Sequence, residues 1–287
     1  MGFLIVGIVV CIILLYIVWQ HFELKKFEVT EYQIRDKRIQ NEMKIIVLAD
    51  LHGYEYGENN RKLLAQIQEK KPDVILIAGD MIVSKKPETF PRAYSILEQL
   101  VKIAPVYYGF GNHESRVAVP GLIVSEAFDE YVRKVEELGV VVLRNETTTC
   151  SCAGNRITIS GVEIGLEYYE KGHEIPMAPE YMNEIMGECP DTGAFHILLA
   201  HNPMYSEQYA GWGADITFCG HNHGGLVRIP GIGSLISPQF TWFPKYNDSI
   251  YEIKGRHVIV SRGMGTHTFH VRVFNRAELL YVRMLPE

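Results

Sequence analysis

The amino-acid sequence predicts an α/β fold that follows one N-terminal apolar helix. Short apolar runs bounded by turn residues recur from Met43 onward, as buried strands do. Amphipathic helical patterns separate the early runs, and this alternation is typical of a parallel sheet flanked by helices. Residues 1–19 contain no charged side chain, which sets them apart from the rest of the chain.

The apolar run at residues 1–19 predicts a membrane anchor. As a helix rising ~1.5 Å per residue, it nearly spans a hydrocarbon core of ~30 Å. Tyr16 and Trp19 lie toward one end, as aromatic residues do at a membrane interface. A signal peptide would show a basic start and a small-residue cleavage site, and a core helix would carry a polar stripe. The run shows neither pattern, so we expect one uncleaved span over residues 1–20 in the cell membrane.

Charge around this span predicts its orientation. Five basic residues follow the span: Lys25, Lys26, Arg35, Lys37 and Arg38. The positive-inside rule then places the part of the chain after the helix in the cytoplasm. We expect a juxtamembrane segment of mixed charge over residues 21–42. Residues 43–287 form one predicted domain, because no Pro/Gly-rich linker or repeat divides them.

The predicted strands and helices of this domain follow in order. The strands are the runs KIIVLA, DVILIAG, PVYYGFG, VVVLRN, RITISGVEI, FHILLAH, DITFCG and HVIVSRG. The helices are NNRKLLAQIQEKK, PRAYSILEQLVKIA and EAFDEYVRKVEELG. Because the later strands follow one another with fewer helices between them, we expect a second, partly antiparallel sheet packed on the first.

Composition argues against two classes of protein. The chain has 28 basic and 34 acidic side chains, a net charge of -6, and no block of lysine or arginine. A nucleic-acid-binding protein usually shows a basic face, so this class is disfavoured. The five cysteines are odd in number and scattered, which favours reduced thiols over a disulfide framework.

Polar motifs follow five of the predicted strands. They are Asp50-Leu51-His52, Gly79-Asp80, Asn112-His113-Glu114, His201-Asn202 and His221-Asn222-His223. The carboxyl ends of strands in an α/β sheet converge on one crevice. Each motif alone has an ordinary explanation, such as a helix cap at Asp50 or a turn at Asp80. Five such motifs together favour a shared site.

The chemistry of these side chains predicts metal binding. Carboxylates, an amide oxygen and imidazoles, with no thiolate, suit Mn, Fe or Zn. Their number exceeds one tetrahedral shell and fits two metals about 3.5–4 Å apart that share a carboxylate. In the stretch CGHNHGG, Cys219–Gly225, the glycines let the backbone turn tightly beside the ions.

The order of these motifs resembles the calcineurin-like metallophosphoesterases. The resemblance covers Met43 to the C-terminus and is stronger for the membrane-anchored or exported bacterial branch, where residues 57–60 and the segments GGLVRIPGIG and VSRGMG have similar counterparts. It implies a four-layer αββα sandwich of two mixed sheets. This chain has Glu114 where many members have Asp, and Ile82 and Val83 where many have an acidic residue. Both departures concern groups that orient ligands.

The resemblance also implies a role for each motif residue. Asp50, His52 and His223 would hold the first metal, and Asp80 would bridge both. Asn112, His201 and His221 would hold the second metal. A metal-bound hydroxide would attack phosphorus in line with the leaving group. His113 would contact the phosphate and assist the departing oxygen.

The resemblance implies a phosphoester substrate but does not choose its type. A monoester, a diester and a lipid-linked or nucleotide pyrophosphate all stay open, and the anchor favours a membrane-proximal one. Tyr54, Trp242 and Arg262 are candidate substrate contacts, although an outer wall, an aromatic cluster and an ion pair explain them equally well. Two alternatives remain, a nuclease of the same superfamily and an inactive, membrane-tethered metal-binding module. The acidic net charge argues against the first, and the complete ligand set with His113 argues against the second.

Overall fold

The structure is a computed structural model that describes residues 2–119, 121, 124–225, 227–229, 231–266 and 270–287. Met1 of the predicted anchor, and Leu226 and Pro230 of the GGLVRIPGIG segment, lie outside these residues. Helix α1, Gly2–Glu23, comes first. By length and composition it could cross a membrane. Its apolar side chains are exposed, and Gln20 near its end is buried.

The first sheet has six strands. Their spatial order is β1 (Phe27–Arg35), β14 (Ala277–Leu285), β2 (Met43–Leu48), β3 (Val74–Ala78), β4 (Val106–Gly109) and β5 (Val141–Leu143). Strands β2 to β5 are parallel, as their apolar runs and intervening helices predict. Strand β14 is antiparallel to β2, and β1 is parallel to β14.

The second sheet also has six strands. Their order is β12 (Ser249–Ile253), β13 (Arg256–Val260), β9 (Ile216–Cys219), β8 (Phe195–Ala200), β7 (Asn155–Val162) and β6 (Glu146–Cys152). The central four are parallel and the two outer strands are antiparallel to their neighbours. Strands β10 (Val227–Ile229) and β11 (Gly233–Ile236) form a separate hairpin.

Helices cover the outer faces of both sheets. They are α2 (Arg61–Lys70), α3 (Thr89–Leu100), α4 (Asn112–Val117), α5 (Ser125–Glu137), α6 (Tyr181–Met186) and α7 (Ser206–Trp212). Alternation along β2 shows why the layers form. Ile46 and Leu48 pack with the helices on the first sheet, while Ile45 and Val47 point into the core between the sheets. These layers confirm the predicted fold of two mixed sheets between helices.

Strand directions decide where the N-terminal helix joins the domain. Because β14 is antiparallel to β2, Ala277 lies at the edge of the sheet where β2 ends. Strand β1 runs parallel to β14 and begins opposite Ala277, at Phe27. Helix α1 therefore enters the domain at the edge formed by the carboxyl ends of β2 to β5, the edge that carries the polar motifs.

Several strands of the fold were not predicted from the sequence: β1, β6, β12, β14 and the β10–β11 hairpin. Strand β1 lies inside the segment interpreted as juxtamembrane, and its nine residues pair with β14. Strand β14 itself reads AELLYVRML. Strand β1 shows no clean apolar run ending in a turn motif, because it lies at the sheet edge and is only partly buried.

Candidate metal centre

Backbone hydrogen bonds fix the Asp50-Leu51-His52 loop at the end of β2. The Asp50 amide donates to the Gly79 carbonyl and the His52 amide donates to the Asp80 carbonyl, both at 3.0 Å. The Gly265 amide donates to the Asp50 carbonyl at 2.6 Å. The ends of two neighbouring strands are thus joined directly, which brings the first two polar motifs side by side.

Several predicted ligands have left-handed backbone conformations. The φ angles are 53° at Asp50, 53° at His52, 57° at Asp80, 66° at His221 and 49° at His223. Such angles are uncommon outside glycine, although Asp, Asn and His adopt them more readily than most residues. Each costs of order 1–3 kcal/mol and persists where the surroundings determine it, often at functional sites. Five of the predicted ligands thus lie among the described non-glycine residues with positive φ.

Donor atoms from different loops converge around two buried carboxylates. His223 Nε2 lies 3.4 Å from Asp50 Oδ1 and 3.1 Å from His52 Nε2. His201 Nε2 lies 3.1 Å from Asp80 Oδ2 and 3.6 Å from Asp50 Oδ1. Three groups each have their ligand atoms within 4.8 Å of one another: Asp50, His52 and His223; His52, Asp80 and His113; and Asp80, His201 and His221.

Asn112 joins the group that contains His221. Its side-chain amide approaches His221 Nδ1 to 2.8 Å, and in the hydrogen-bonded orientation the amide nitrogen donates to the ring. In the opposite orientation the amide oxygen faces the same ring. Asn112 and His221 need this orientation if both are to bind one cation. Asn112 is the first residue of α4 and is buried.

Two imidazoles are oriented by backbone carbonyls. His52 Nδ1 lies 3.1 Å from the Ile82 carbonyl, and His201 Nδ1 lies 2.6 Å from the Ala78 carbonyl. A carbonyl only accepts, so Nδ1 carries a proton in each ring, and Nε2, which faces the carboxylates, is the nitrogen that would bind a cation. Metal-binding histidines are typically held in this way.

The charges at the site also fit divalent cations. Burial raises the pKa of Asp50 to about 7, against the effect of His201, and the Asp80 carboxylate adds to the rise. Burial lowers the pKa of His201, but Asp80 and Asp50 outweigh it and raise the value to about 9. Two buried carboxylates this close need positive charge between them. A cation at His201 Nε2 would take the place of the proton.

His113 is held by Ser84. The Ser84 amide donates to His113 Nδ1 at 3.0 Å, and Ser84 Oγ lies 3.0 Å from the same nitrogen. Nδ1 is therefore an acceptor, and a neutral His113 carries its proton on Nε2, 4.0 Å from Asp80 Oδ2. Ser84 was not singled out in the sequence, because serine in a turn is common.

Glu114 holds the Asp80 loop. Its buried carboxylate accepts hydrogen bonds from the amides of Asp80, Met81 and Gly111 at 2.8 to 3.0 Å. It also accepts from the Tyr108 hydroxyl at 2.6 Å.

The three candidate substrate contacts lie in different surroundings. The Tyr54 ring lines the crevice beside the metal centre, and its hydroxyl donates to the Leu24 carbonyl at 2.9 Å. Arg262 forms ion pairs with Glu278, at 2.8 Å, and with Glu28. The Trp242 side chain is 65% exposed. Among the three, Tyr54 is the one that lines the crevice.

The crevice beside the metal centre is large and basic. Its volume is about 1220 Å³, and His52 and His113 lie on its wall. Eight lysines and arginines line it, against the two glutamates Glu55 and Glu88. This excess contrasts with the net charge of -6 for the whole chain. The crevice is suited to an anionic substrate.

Comparison with known proteins agrees with this geometry. The model of the calcineurin-like phosphoesterase family matches residues 43–225. The chain is 26% identical to Phosphodiesterase YaeI of Escherichia coli over 84% of this chain and 82% of that protein. It is also 26% identical to the metallophosphoesterase YkuE of Bacillus subtilis, over 91% of this chain and 86% of that protein.

A solved structure shows the same fold. The 5′-nucleotidase precursor from Thermus thermophilus superposes with a TM-score of 0.50 at 15% identity. The match covers 78% of this chain and 49% of that one, so the chain spans about half the length of the nucleotidase. Together with the family match, this fold and the buried Asp/His groups show that the chain belongs to the calcineurin-like phosphoesterases, metal-dependent phosphoester hydrolases that use two divalent metals.

Proposed function

We propose that this protein is a membrane-anchored phosphodiesterase whose site is built around Asp80. One observation carries the proposal. Asp80 Oδ2 lies within 4.0 Å of an imidazole nitrogen of His52, His113 and His201. The carboxylate therefore belongs to both groups of donors, as a bridge between two ions requires.

The proposed ligand assignment follows the donor groups. Asp50, His52 and His223 form one set, and Asn112, His201 and His221 form the other. Two divalent ions held there would supply an activated water at neutral pH and offset charge on the phosphoryl oxygens. The chain's own residues keep the ions in place through the carbonyls of Ile82 and Ala78.

His113 is the proposed acid. Because Ser84 donates to Nδ1, the Nε2 proton of His113 faces the site. From there it can donate to a phosphoryl oxygen or to the leaving oxygen as the ester bond breaks. Such proton transfer contributes typically ~10²–10⁴-fold to the rate.

A diester is the preferred substrate in this proposal. A crevice of about 1220 Å³ with a basic lining has room for groups on both sides of a phosphate. The similarity to a protein named as a phosphodiesterase supports the same choice. Monoesters and pyrophosphates are the comparison substrates.

Helix α1 is the proposed anchor. Its apolar side chains are exposed over most of its 22 residues, which favours an anchor over a core helix. The basic residues after it favour the cytoplasmic side for the catalytic domain. A cleaved signal sequence would be revealed by an N-terminus of the cellular protein that begins beyond Glu23.

The test uses the full chain in detergent, stripped of metal with a chelator and then supplied with Mn²⁺. We expect hydrolysis of a chromogenic diester at a higher kcat/KM than of the matching monoester. Asp80→Asn and His113→Ala should each lower kcat at least about a hundredfold. If no divalent metal restores turnover and the protein still binds metal, the protein is an inactive metal-binding module.

A nuclease is the second candidate function, and the basic lining of the crevice favours it. It predicts cleavage of single-stranded DNA at a rate comparable to that of the chromogenic diester. The absence of such cleavage by an enzyme that turns over the diester would exclude it.

A further inference from the structure

The proposed hydrolysis gives no role to the surface around the mouth of the crevice. Helix α1 joins the domain at the edge that carries the metal centre, as the strand directions show. Lys25, two residues beyond the helix, lines the crevice itself. Tyr54 on the crevice wall donates to the Leu24 carbonyl. The crevice therefore opens next to the end of the helix.

The cations of the crevice are not neutralised by carboxylates. None of its eight lysines and arginines forms an ion pair with a carboxylate among the residues that the structure describes. By contrast, Arg228, Arg256 and Arg262 outside the crevice are all paired with acidic residues. The unpaired cations present positive charge on the side of the domain where the helix enters.

Exposed apolar side chains gather on the same side. Outside α1, ten large apolar side chains are exposed among the described residues, and eight of them lie in three segments. We call these eight the rim patch: Val227, Ile229, Ile232, Phe240, Trp242, Phe243, Val271 and Phe274.

Hydrogen bonds tie the rim patch to the metal-centre loops. Asn275, next to Phe274, donates to the His223 carbonyl at 2.6 Å. Gln239, next to Phe240, lies 3.5 Å from the Asn202 side chain and donates to the Tyr168 carbonyl at 3.2 Å. Lys171 of the crevice lies over the Phe240 ring at 5.2 Å. The patch thus borders the mouth of the crevice.

Local folding does not explain the aromatic residues of this patch. Phe240 and Phe243 have φ angles of 65° and 47°, a region that glycine or asparagine occupies at lower cost. Their side chains are 47% and 61% exposed. Exposed aromatic side chains gathered in one patch are typical of a surface that contacts a partner outside the domain.

We propose that the rim patch and the basic crevice mouth dock onto a bilayer that contains anionic lipid. The crevice then opens onto the headgroup layer and takes a phosphoester carried in that layer. This inference rests on the proposed anchoring and hydrolytic function and adds the orientation of the site and the source of its substrate.

Three observations together favour a lipid surface. Aromatic and aliphatic side chains beside unpaired lysines are the composition of interfacial membrane contacts. Part of this surface lies beside the end of the 22-residue helix α1, since Arg272, next to Val271, is hydrogen-bonded to Gln20. A nucleic acid would use the cations but would leave Ile232 and Phe274 without a role.

Trp242 provides the measurement. The full chain is placed in lipid nanodiscs with Trp19→Phe, which leaves Trp242 and the buried Trp212 as fluorophores. We expect lipid with brominated acyl chains to quench Trp242 in discs of phosphatidylcholine and phosphatidylglycerol, and less in phosphatidylcholine alone. Lys85→Gln and Lys86→Gln should each lower the docking equilibrium constant about fivefold.

Surface variants separate docking from catalysis. Phe243→Ser and Phe274→Ser should reduce quenching while leaving turnover of the soluble chromogenic diester unchanged. Val141→Ser is the matched control, because Val141 is exposed at the start of β5, the edge of the sheet opposite the site. Asp80→Asn should abolish turnover and leave quenching intact.

The outcomes distinguish this proposal from the enzyme function. Equal Trp242 emission in brominated and ordinary discs, with turnover retained, would overturn docking alone. If the wild-type protein is quenched but does not hydrolyse the diester, the hydrolytic function is overturned and docking is supported. If quenching is absent and a single-stranded oligonucleotide binds in a Lys85-dependent way, the crevice serves nucleic acid and docking is wrong. A chain that does not incorporate into discs would overturn the anchor and docking together.

Discussion

Gln20 and Arg272 are joined by two hydrogen bonds, although 252 residues separate them. Gln20 Nε2 donates to the Arg272 carbonyl at 2.9 Å, and the Arg272 amide donates to Gln20 Oε1 at 3.0 Å. The Arg272 guanidinium in turn donates to the carbonyls of Arg262, Gly263, Gly265 and Asn275. Gly265 also donates to the Asp50 carbonyl. The last turn of the N-terminal helix is thereby connected to the loop behind the metal centre.

Replacing Arg272 should destabilise the domain. Arg272→Gln removes a buried guanidinium that satisfies four carbonyls, and unsatisfied buried acceptors are costly. We expect a loss of about 3 kcal/mol in the free energy of unfolding, measured by chemical denaturation in detergent. Arg276→Gln is the control, since its side chain is 40% exposed and pairs with Glu23. It should cost at most about 1 kcal/mol, and an equal loss for both variants would contradict the role of Arg272.

Gly220→Ala should weaken metal binding by displacing Asp50. A Cβ at Gly220 would lie 2.5 Å from Asp50 Oδ2 and 2.9 Å from Ala49 Cβ, so these groups must shift. Metal affinity should fall about 10–100-fold, as for loss of a group that orients a ligand. Metal content after dialysis measures this. Gly211→Ala is the control, because its Cβ would meet only the flexible end of Lys254 at 3.1 Å. Full metal retention by Gly220→Ala would refute the prediction.

Glu114→Gln should loosen the Asp80 loop. The NH2 of the glutamine amide would face either the Asp80 and Gly111 amides or the Met81 amide and the Tyr108 hydroxyl, all of which now donate to the carboxylate. We expect a loss of about 2–4 kcal/mol in unfolding free energy together with weaker metal binding. Tyr108→Phe removes a single hydrogen bond to the same carboxylate and should cost about 1 kcal/mol. If Glu114→Gln is no worse than Tyr108→Phe, the carboxylate is not what holds this loop.

His196 should make the protein less stable in mild acid. Burial lowers the pKa of His196 from 6.5 to about 4, while Asp215 opposes the change and Arg256 and Arg38 add to it. Between these values the unfolded chain binds a proton that the folded chain excludes, so stability is full above pH 6.5 and falls as the pH drops toward 4. The shift corresponds to about 3 kcal/mol.

Unfolding curves measured across this pH range test the effect. Gln can still hydrogen-bond to Ser160, whose Oγ lies 2.7 Å from His196 Nε2, but Gln does not titrate. The free energy of unfolding of His196→Gln should therefore decline less steeply with falling pH than that of wild type. The same exchange at the exposed His173 should leave this decline unchanged. Parallel curves for wild type and His196→Gln would show that another group causes the acid sensitivity.

The sequence by itself was enough to predict the layers of the fold and the set of candidate metal ligands. Buried strands such as KIIVLA and FHILLA carry their apolar pattern locally, and Asp50, Asp80 and His201 each follow such a strand. Since the carboxyl ends of parallel strands share one edge, the motifs could be placed together without coordinates. The apolar helix at the N-terminus was equally local, because length and composition define it.

Only the tertiary structure decided what surrounds those residues. Ser84 contacts His113, and Arg272 contacts Gln20, through separations of 29 and 252 residues that no local pattern encodes. The basic crevice is assembled from single lysines and arginines of separate loops, and an acidic net charge conceals it. Edge strand β1 turns the N-terminal helix toward the metal centre through its parallel pairing with β14. Pairing between distant strands is a property of the folded chain, because its free energy comes from contacts that form only when the whole sheet is in place.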